Sequence, residues 1–370
     1  MEAVIWVVAA LMTLFTARRY GLVVASLLPE RRAARGGTPS VTLLVCARDE
    51  AGAIGGLLER LEGLEYPRES LEIVLVSDDS RDGTAAKMTE WASRRPGARH
   101  VELKKNVGKA EALNRGLAAA GPSELVAVYD ADQRPRGDAL RILAGAFADA
   151  RCGAAAGYRR PVNAACSGVA RYAALECWVH QLVTQAAKDR MRANPTTMGG
   201  NCTYRRRALE QAGGFPAGAF SEDIEISHAL VARGWSTRFL RDAVAEQDVV
   251  ATLGQYVRQR RRWTQGLYAS LPKGRRVESW LVSLGYADRL VALAAVALAA
   301  GGWMSPLWVV LYATAPGMAM GVALARAGEG REALRYAAWC APMFAVDVWI
   351  TLGATLASAM GRRAEWRTER

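Results

Sequence analysis

Hydrophobic and polar positions divide the chain into three stretches. Ala3 to Phe15 is almost wholly apolar (AVIWVVAALMTLF), and Gly21 to Leu28 is apolar again after Arg18 and Arg19. No basic residues precede this run, as they do in a cleaved secretion signal, so residues 1–29 read as a membrane anchor. Arg31, Arg32 and Arg35 follow it, and by the positive-inside rule they put the next domain in the cytoplasm. Residues 38–271 are mixed in character and read as a soluble domain. Beyond Trp280 the chain turns apolar once more, and residues 280–360 read as interfacial and transmembrane helices. Trp303–Ala325 and Ala337–Met360 each reach the roughly 20 residues of a span. Leu290–Gly302 is shorter, and fits either a tilted span or an interfacial helix. Three and four spans both stay open. The basic tail, residues 361–370 with Arg362, Arg363, Arg367 and Arg370, favours the cytoplasm, and Asp347 is an unusual charge inside an apolar run that calls for a partner.

In the middle stretch the periodicity changes. Val41–Ala47 (VTLLVCA), Leu71–Val76 (LEIVLV) and Leu125–Tyr129 (LVAVY) are unbroken apolar runs of strand length. Between them, Glu50–Leu64 (apolar at Ile54, Leu57, Leu58 and Leu61), Thr84–Ser93 and Ala110–Ala120 suit helices. Strands apolar on both faces that alternate with helices predict an α/β fold with a doubly wound, mostly parallel sheet. No repeat of 20 to 50 residues and no low-complexity tract is present.

Composition narrows the choice of chemistry. Six scattered cysteines without a C-x-x-C pair argue against a zinc ribbon and a disulfide scaffold, and suit a reducing compartment. The net charge of +12 comes from arginine, since only six residues are lysine. Such a surface suits anionic lipid or a diphosphate. No helix-turn-helix, zinc finger or aromatic RNA-binding sheet supports nucleic acid. The isolated His100, His180 and His228 suit surface or packing roles.

In doubly wound sheets ligands bind beyond the carboxyl ends of the strands, and here three successive strands end in carboxylates. They run into Arg48-Asp49-Glu50, Ser77-Asp78-Asp79-Ser80 and Asp130-Ala131-Asp132. The pair Asp130-x-Asp132 can place oxygens around a hard divalent ion that also takes diphosphate oxygens. It can equally accept from ribose hydroxyls, or be a solvated turn. The glycine fingerprints of dinucleotide-binding and P-loop folds are missing.

Four segments in order carry a resemblance. They are VTLLVCARDEAGAIGGLLERLEGLEYP; EIVLVSDDSRDGT; NVGKAEALNRGL with VYDADQRP; and GGNCTYRR, GGF and SEDIEISHALVARGW followed by QRRRW. Together they resemble the membrane-integrated family-2 inverting glycosyltransferases with a GT-A fold and a D, D-x-D, E-D, Q-x-x-R-W signature. Cellulose, chitin and hyaluronan synthases and ceramide-glucosyltransferase-like enzymes belong to that branch. The resemblance covers roughly Val41 to Gly266. It implies that Asp79, with Asp78, recognises the nucleotide base, and that Arg48 to Glu50 (Arg48, Asp49 and Glu50) line the same pocket. It places Lys109 near the donor diphosphate, Asp130 and Asp132 at a Mg²⁺ or Mn²⁺ ion, and Asp223, beside Glu222, as catalytic base. Gln259 and Arg262 then meet the diphosphate, Trp263 lies beneath the acceptor, and Gly199, Gly200 and Asn201 form an acceptor-side loop. Of the remaining arginines in the motif, Arg260 and Arg261 read as a solvated or headgroup-binding face.

The chemistry of those residue types agrees. Displacement at an anomeric carbon needs a base on the acceptor hydroxyl and neutralisation of the leaving diphosphate on the opposite face. The resemblance therefore implies a multi-pass cell-membrane enzyme with a cytoplasmic catalytic domain, a nucleotide diphosphate sugar donor, and contact with membrane lipids. Building a β-linked polysaccharide leads, with single transfer to a lipid as the alternative. A scaffold that kept the fold and lost activity is the non-enzyme rival, and it would lack Asp79, Asp132, Asp223 or Trp263. The sequence departs from the branch after Glu246, where Gln247-Asp248-Val249-Val250 stands in place of a nearby proline. Its membrane portion is also small for a polymer channel.

Overall fold

The structure, a computed structural model, describes residues 2–34, 37–219, 221–270 and 277–359. Two compact units emerge. One comprises Pro29–Val162 and Lys188–Asp248, the other Met1–Leu28, Asn163–Ala187 and Val249–Arg370. The expected soluble domain, 38–271, covers most of the first unit together with 163–187 and 249–271 of the second.

The first unit is built on one sheet. Its strands are β1 (Val41–Ala47), β2 (Leu71–Asp78), β3 (Ala98–Leu103), β4 (Leu125–Asp130), β5 (Arg134–Pro135), β6 (Cys152–Pro161), β7 (Cys202–Arg205) and β8 (Ser236–Gln247). Their order is β3-β2-β1-β4-β7-β6-β8-β5. The three strands read from apolar runs lie together and parallel, with β3 added at the edge. Past β4 the sheet becomes mixed, since β7 runs antiparallel to both β4 and β6. β6 and β8 pair in parallel over most of their length. Helices α2 (Ile54–Glu62), α3 (Thr84–Ser93), α4 (Lys109–Ala119), α5 (Ala139–Gly145), α8 (Arg206–Ala212) and α9 (Glu222–Ala232) complete the unit. The helix expected over Glu50–Leu64 is shorter because the chain first turns at Glu50–Ala53, whose carbonyl at Glu50 accepts from the Ile54 amide at 2.9 Å.

The core explains the apolar runs. Leu43, Val45, Ile73, Leu75 and Ala127 are fully buried, and Leu57 and Leu61 of α2 reach the same cluster. Register then fixes the functional edge. Ala47 lies opposite Ser77, and Cys46 opposite Asp130, so β1, β2 and β4 finish flush. The residues after each strand emerge at one rim.

The second unit is helical: α1 (Glu2–Leu27), α6 (Gly168–Trp178), α10 (Leu253–Ser270), α11 (Val277–Ala300), α12 (Pro306–Ala327) and α13 (Ala333–Ala359). A π-helical turn, Val179–Gln185, follows α6 and precedes the short α7 (Ala186–Arg190). Within that turn the Leu182 carbonyl accepts from Arg326 at 2.7 Å, and Arg326 also donates to the carbonyl of Ser26.

Glu2–Leu27, Pro306–Ala327 and Gly330–Ala357 are long and apolar enough to cross a membrane. Of the run Leu290–Gly302, Leu290–Ala300 belongs to the longer α11, which is not among those three, and Gly301 and Gly302 form the turn after it. Met360 and the basic tail lie outside the described residues. Arg19 of α1 pairs with Asp288 of α11, and the Tyr312 hydroxyl donates to the same carboxylate. Val8, Met12 and Phe15 of α1 pack with Val291, Ala295 and Tyr312 around that pair.

Candidate active site

At the rim of β2 the chain makes a tight loop. Asp78 is 5% exposed and accepts from the amides of Val107 and Gly108, both at 2.9 Å. Its carboxylate thus pins the loop that leads into α4. Asp79, the next residue, is half-buried with φ 55°, a conformation that turns it off the strand. Asp49 adopts φ 54° at the end of β1, and its carboxylate accepts from the Arg81 amide at 2.7 Å. Arg48 lies 3.7 Å from the Asp49 carboxylate, and Glu50 is buried with its amide donating to the Thr84 hydroxyl at 2.8 Å. Arg48, Asp49, Glu50, Asp78 and Asp79 therefore line two adjacent loops bound to each other.

Lys109 opens α4 behind Gly108, whose φ of 82° favours glycine. Its ammonium lies 2.6 Å from Asp130 and 3.1 Å from Glu222. One cation thus bridges the end of β4 to the start of α9. Burial works against the Lys109 charge, but Asp130 and Glu222 more than offset it, and its pKa stands well above the ordinary lysine value.

Asp223 follows Glu222 in the first turn of α9, where the helix dipole favours acids. Its backbone carbonyl accepts from the hydroxyls of Thr197 (2.9 Å) and Ser227 (2.7 Å), which fixes the loop before β7 against α9. Burial, followed by the charge of Glu222, pushes the Asp223 carboxyl up to about 6, while Lys109 opposes the shift. A carboxylate so placed keeps its charge at neutral pH and is a stronger base than a solvated aspartate.

The Gly199-Gly200-Asn201 loop meets the same cluster. A Cβ on Gly199 (φ 85°) would stand 3.3 Å from the Lys109 ammonium and 3.8 Å from the Asp223 carboxylate. A Cβ on Gly200 would come within 2.5 Å of both Asp130 Oδ2 and Gln133 Oε1. The close approach favours glycine at Gly200, and the positive φ favours it at Gly199. Asn201 is fully buried, and its amide donates to the carbonyls of Ala243 (2.9 Å) and Tyr158 (3.2 Å), so its side chain holds the loop.

Gln133 was not singled out from sequence. It is fully buried, accepts from the Asp130 amide at 3.2 Å, and donates to Gln247 at 3.3 Å. Its place three residues past Asp130, in a strand-end turn, is the one signal that could have raised it. Asp132 is half-buried at the same turn. Among the described residues no three His, Cys, Asp or Glu side chains gather as a metal cage. Two carboxylates on one turn, Asp130 and Asp132, would still suit a hard divalent ion that takes its other ligands from elsewhere.

Comparison with known proteins gives this geometry a family. Residues 39–266 match the family described as "Glycosyltransferase like family 2". The chain belongs to glycosyltransferase family 2. Among its relatives is the probable glycosyltransferase YdaM of Bacillus subtilis (strain 168), 31% identical over 232 residues, covering 62% of this chain and 55% of that protein. Another is the beta-monoglucosyldiacylglycerol synthase of Synechocystis sp., 29% identical over 238 residues, covering 62% of this chain and 48% of that protein. The chain thus spans about half the length of these relatives. A solved mannosyltransferase, PcManGT from Pyrobaculum calidifontis in complex with GDP-Man and Mn²⁺, superposes with a TM-score of 0.63 at 23% identity, over 96% of this chain and 99% of that one. The mixed α/β sheet flanked by apolar terminal helices is thus a GT-A type fold.

The Q-x-x-R-W residues of this family 2 chain lie on α10, in the second unit. Gln259 is half-buried, Arg262 is exposed, and Trp263 is 41% exposed. Positions three and four apart share a helix face, so the three form one patch. Arg260 departs from the expected solvated face. Its side chain is 12% exposed and ion-paired with Glu176 of α6. The guanidinium also stacks on the rings of Tyr256 (5.0 Å) and Trp263 (4.8 Å). Its periodicity sets it there, since Tyr256, Arg260 and Thr264 repeat every four residues and face inward. Arg261 stays exposed, stacked over Trp349 at 4.8 Å. Asp347 finds its partner in Arg289 at 3.0 Å, which explains how a carboxylate is held within an apolar helix.

Proposed function

We propose that this protein transfers a sugar from a nucleotide diphosphate sugar to an acceptor at a membrane, with inversion at the anomeric carbon. The cluster of Lys109, Asp130, Glu222 and Asp223 is the observation that carries this reading. It provides a poised carboxylate and a cation within one site, against which the glycine loop packs closely. Asp223 takes the proton of the acceptor hydroxyl, and Glu222 raises its basicity. Asp79, with Arg48 and Glu50 beside it, receives the nucleoside, while Asp78 shapes the loop. Lys109 steadies the carboxylates and faces the diphosphate. Asp130 and Asp132 would hold Mg²⁺ or Mn²⁺, which would supply positive charge to offset that on the leaving diphosphate. Gln259 and Arg262 bind that diphosphate, the guanidinium by its planar fork. Trp263 receives the acceptor, and Gly200 with Asn201 shape its loop.

Attack opposite the leaving group turns an α-linked donor into a β-linked product. Similarity to a monoglucosyldiacylglycerol synthase supports a lipid acceptor, three helices of spanning length support a multi-pass membrane protein, and Arg31, Arg32 and Arg35 behind the first of them favour a cytoplasmic catalytic domain. Extension of a β-linked polysaccharide is the second reading, carried by the likeness of the motif set to polymer synthases. The deciding assay gives purified protein Mn²⁺ or Mg²⁺, a panel of nucleotide sugars and diacylglycerol vesicles. Nucleotide diphosphate release with one glycosylated lipid supports the first reading, a ladder of products supports the second, and no release with any donor overturns both.

A further inference from the structure

Four helices of the second unit meet at a buried set of charges that sugar transfer leaves unexplained. Glu176 of α6 pairs with Arg260 of α10 and lies 3.4 Å from Arg289 of α11. Arg289 also pairs with Asp347 of α13. The Tyr256 hydroxyl sits between the two carboxylates, 2.9 Å from Glu176 and 2.8 Å from Asp347, and Tyr172 donates to Asp347 at 3.0 Å. Two guanidinium ions thus balance two carboxylates, and each carboxylate takes a tyrosine hydroxyl. A buried pair is a poor source of stability, because desolvation offsets much of the attraction. Its stronger effect is to fix geometry, since every partner must be met in one arrangement.

What this lattice fixes is visible on α10. Arg260 is held by Glu176, and its guanidinium lies over the rings of both Tyr256 and Trp263. Trp263 itself remains 41% exposed. An indole with an open face and several rotamers would otherwise lose entropy on meeting a sugar or lipid headgroup. We propose that Glu176 and Arg260 are positioning residues for acceptor use, Glu176 holding the Arg260 guanidinium as a shelf that fixes the Trp263 ring. This rests on the reading that Trp263 meets the acceptor. Neither residue touches a reacting atom.

Glu176→Gln and Arg260→Met test it, each removing the ion pair while keeping much of the volume. A cation–π contact is worth about 0.5–2 kcal/mol, which converts to a rise of about 2–30-fold in acceptor KM. Donor KM and nucleotide diphosphate affinity stay unchanged, and Glu176→Asp restores part of the loss. In a Trp263→Ala background Arg260→Met has no further effect on acceptor KM. Losses that add to that of Trp263→Ala, or that fall on kcat and donor KM alike, overturn the proposal.

A second readout needs no turnover. With 5-fluorotryptophan incorporated and Trp263 assigned through Trp263→Phe, its fluorine resonance shifts and broadens in Glu176→Gln and Arg260→Met. It stays put in Arg261→Met, whose guanidinium faces Trp349. An unmoved Trp263 resonance in both network variants sinks the positioning role even where transfer is intact. Absence of transfer in the wild type sinks the sugar-transfer reading alone. Should Glu176→Gln fail to fold, Arg260→Lys keeps the charge and loses the flat plane, and the same resonance decides.

Discussion

Asp223 owes its basicity to burial and to Glu222, and Lys109 limits the shift. Each of these has a kinetic consequence. Asp223→Asn keeps the shape and removes the proposed base, so turnover is expected to fall about 10²–10⁴-fold while calorimetry finds nucleotide diphosphate affinity unchanged. A carboxyl whose pKa is pushed up to about 6 gains its charge as pH rises through that value, so kcat/KM climbs with pH and levels off above it. Lys109→Gln removes the cation that opposes the shift, and the acid limb of the same profile then moves to higher pH. At the neighbouring turn, Asp132→Ala abolishes metal-dependent nucleotide diphosphate binding, and full activity of the wild type in EDTA refutes the metal assignment. Asp130 and Asp132 drew attention because strand ends expose chemistry in short polar words, whereas Lys109, Glu222 and Asp223, in the first turns of α4 and α9, stood out through the motif set. Arg260 was misread for the opposite reason, since its character comes from Glu176, 84 positions away.

Among the elements, β1, β2 and β4 could be read directly, because strands buried on both faces have no polar positions to interrupt them. Others carry conflicting local signals. β6 is CGAAAGYRRP, whose alanines favour helix, and β8 is STRFLRDAVAEQ, with charges at both faces of an outer strand. Their pairing with each other, a tertiary matter, overrides those preferences. The antiparallel β7 was invisible for a related reason, as four residues give too little pattern. It matters nonetheless, because the glycine loop of the site leads into it. Gly200→Ala would force a methyl within 2.5 Å of Asp130 and Gln133. A thermal melt of that variant is expected to show a destabilisation of about 1–3 kcal/mol, the usual result of overpacking, with Asp130 displaced and metal binding weakened.

On the scale of the whole molecule, the hydropathy profile separated apolar ends from a mixed middle, yet the helical unit is not contiguous in sequence. It draws on the first residues, a middle segment and the last third of the chain. Apolar length alone cannot reveal this, since α6 joins the unit through Glu176, Tyr172 and a tight seat in which a Cβ on Gly168 would overlap the Trp339 ring. The pairing of Arg19 with Asp288 carries a further consequence for how the protein is made. The two residues are separated by 269 positions, and at about 5–20 residues per second the ribosome needs roughly 15–50 s to travel from one to the other. Throughout that interval the first helix holds a guanidinium whose carboxylate does not yet exist. Nascent chains arrested before Asp288 should therefore be cleared faster than those arrested after Tyr312, and Arg19→Leu should narrow the difference in a pulse-chase experiment. A helix made long before its partner is thus seated late.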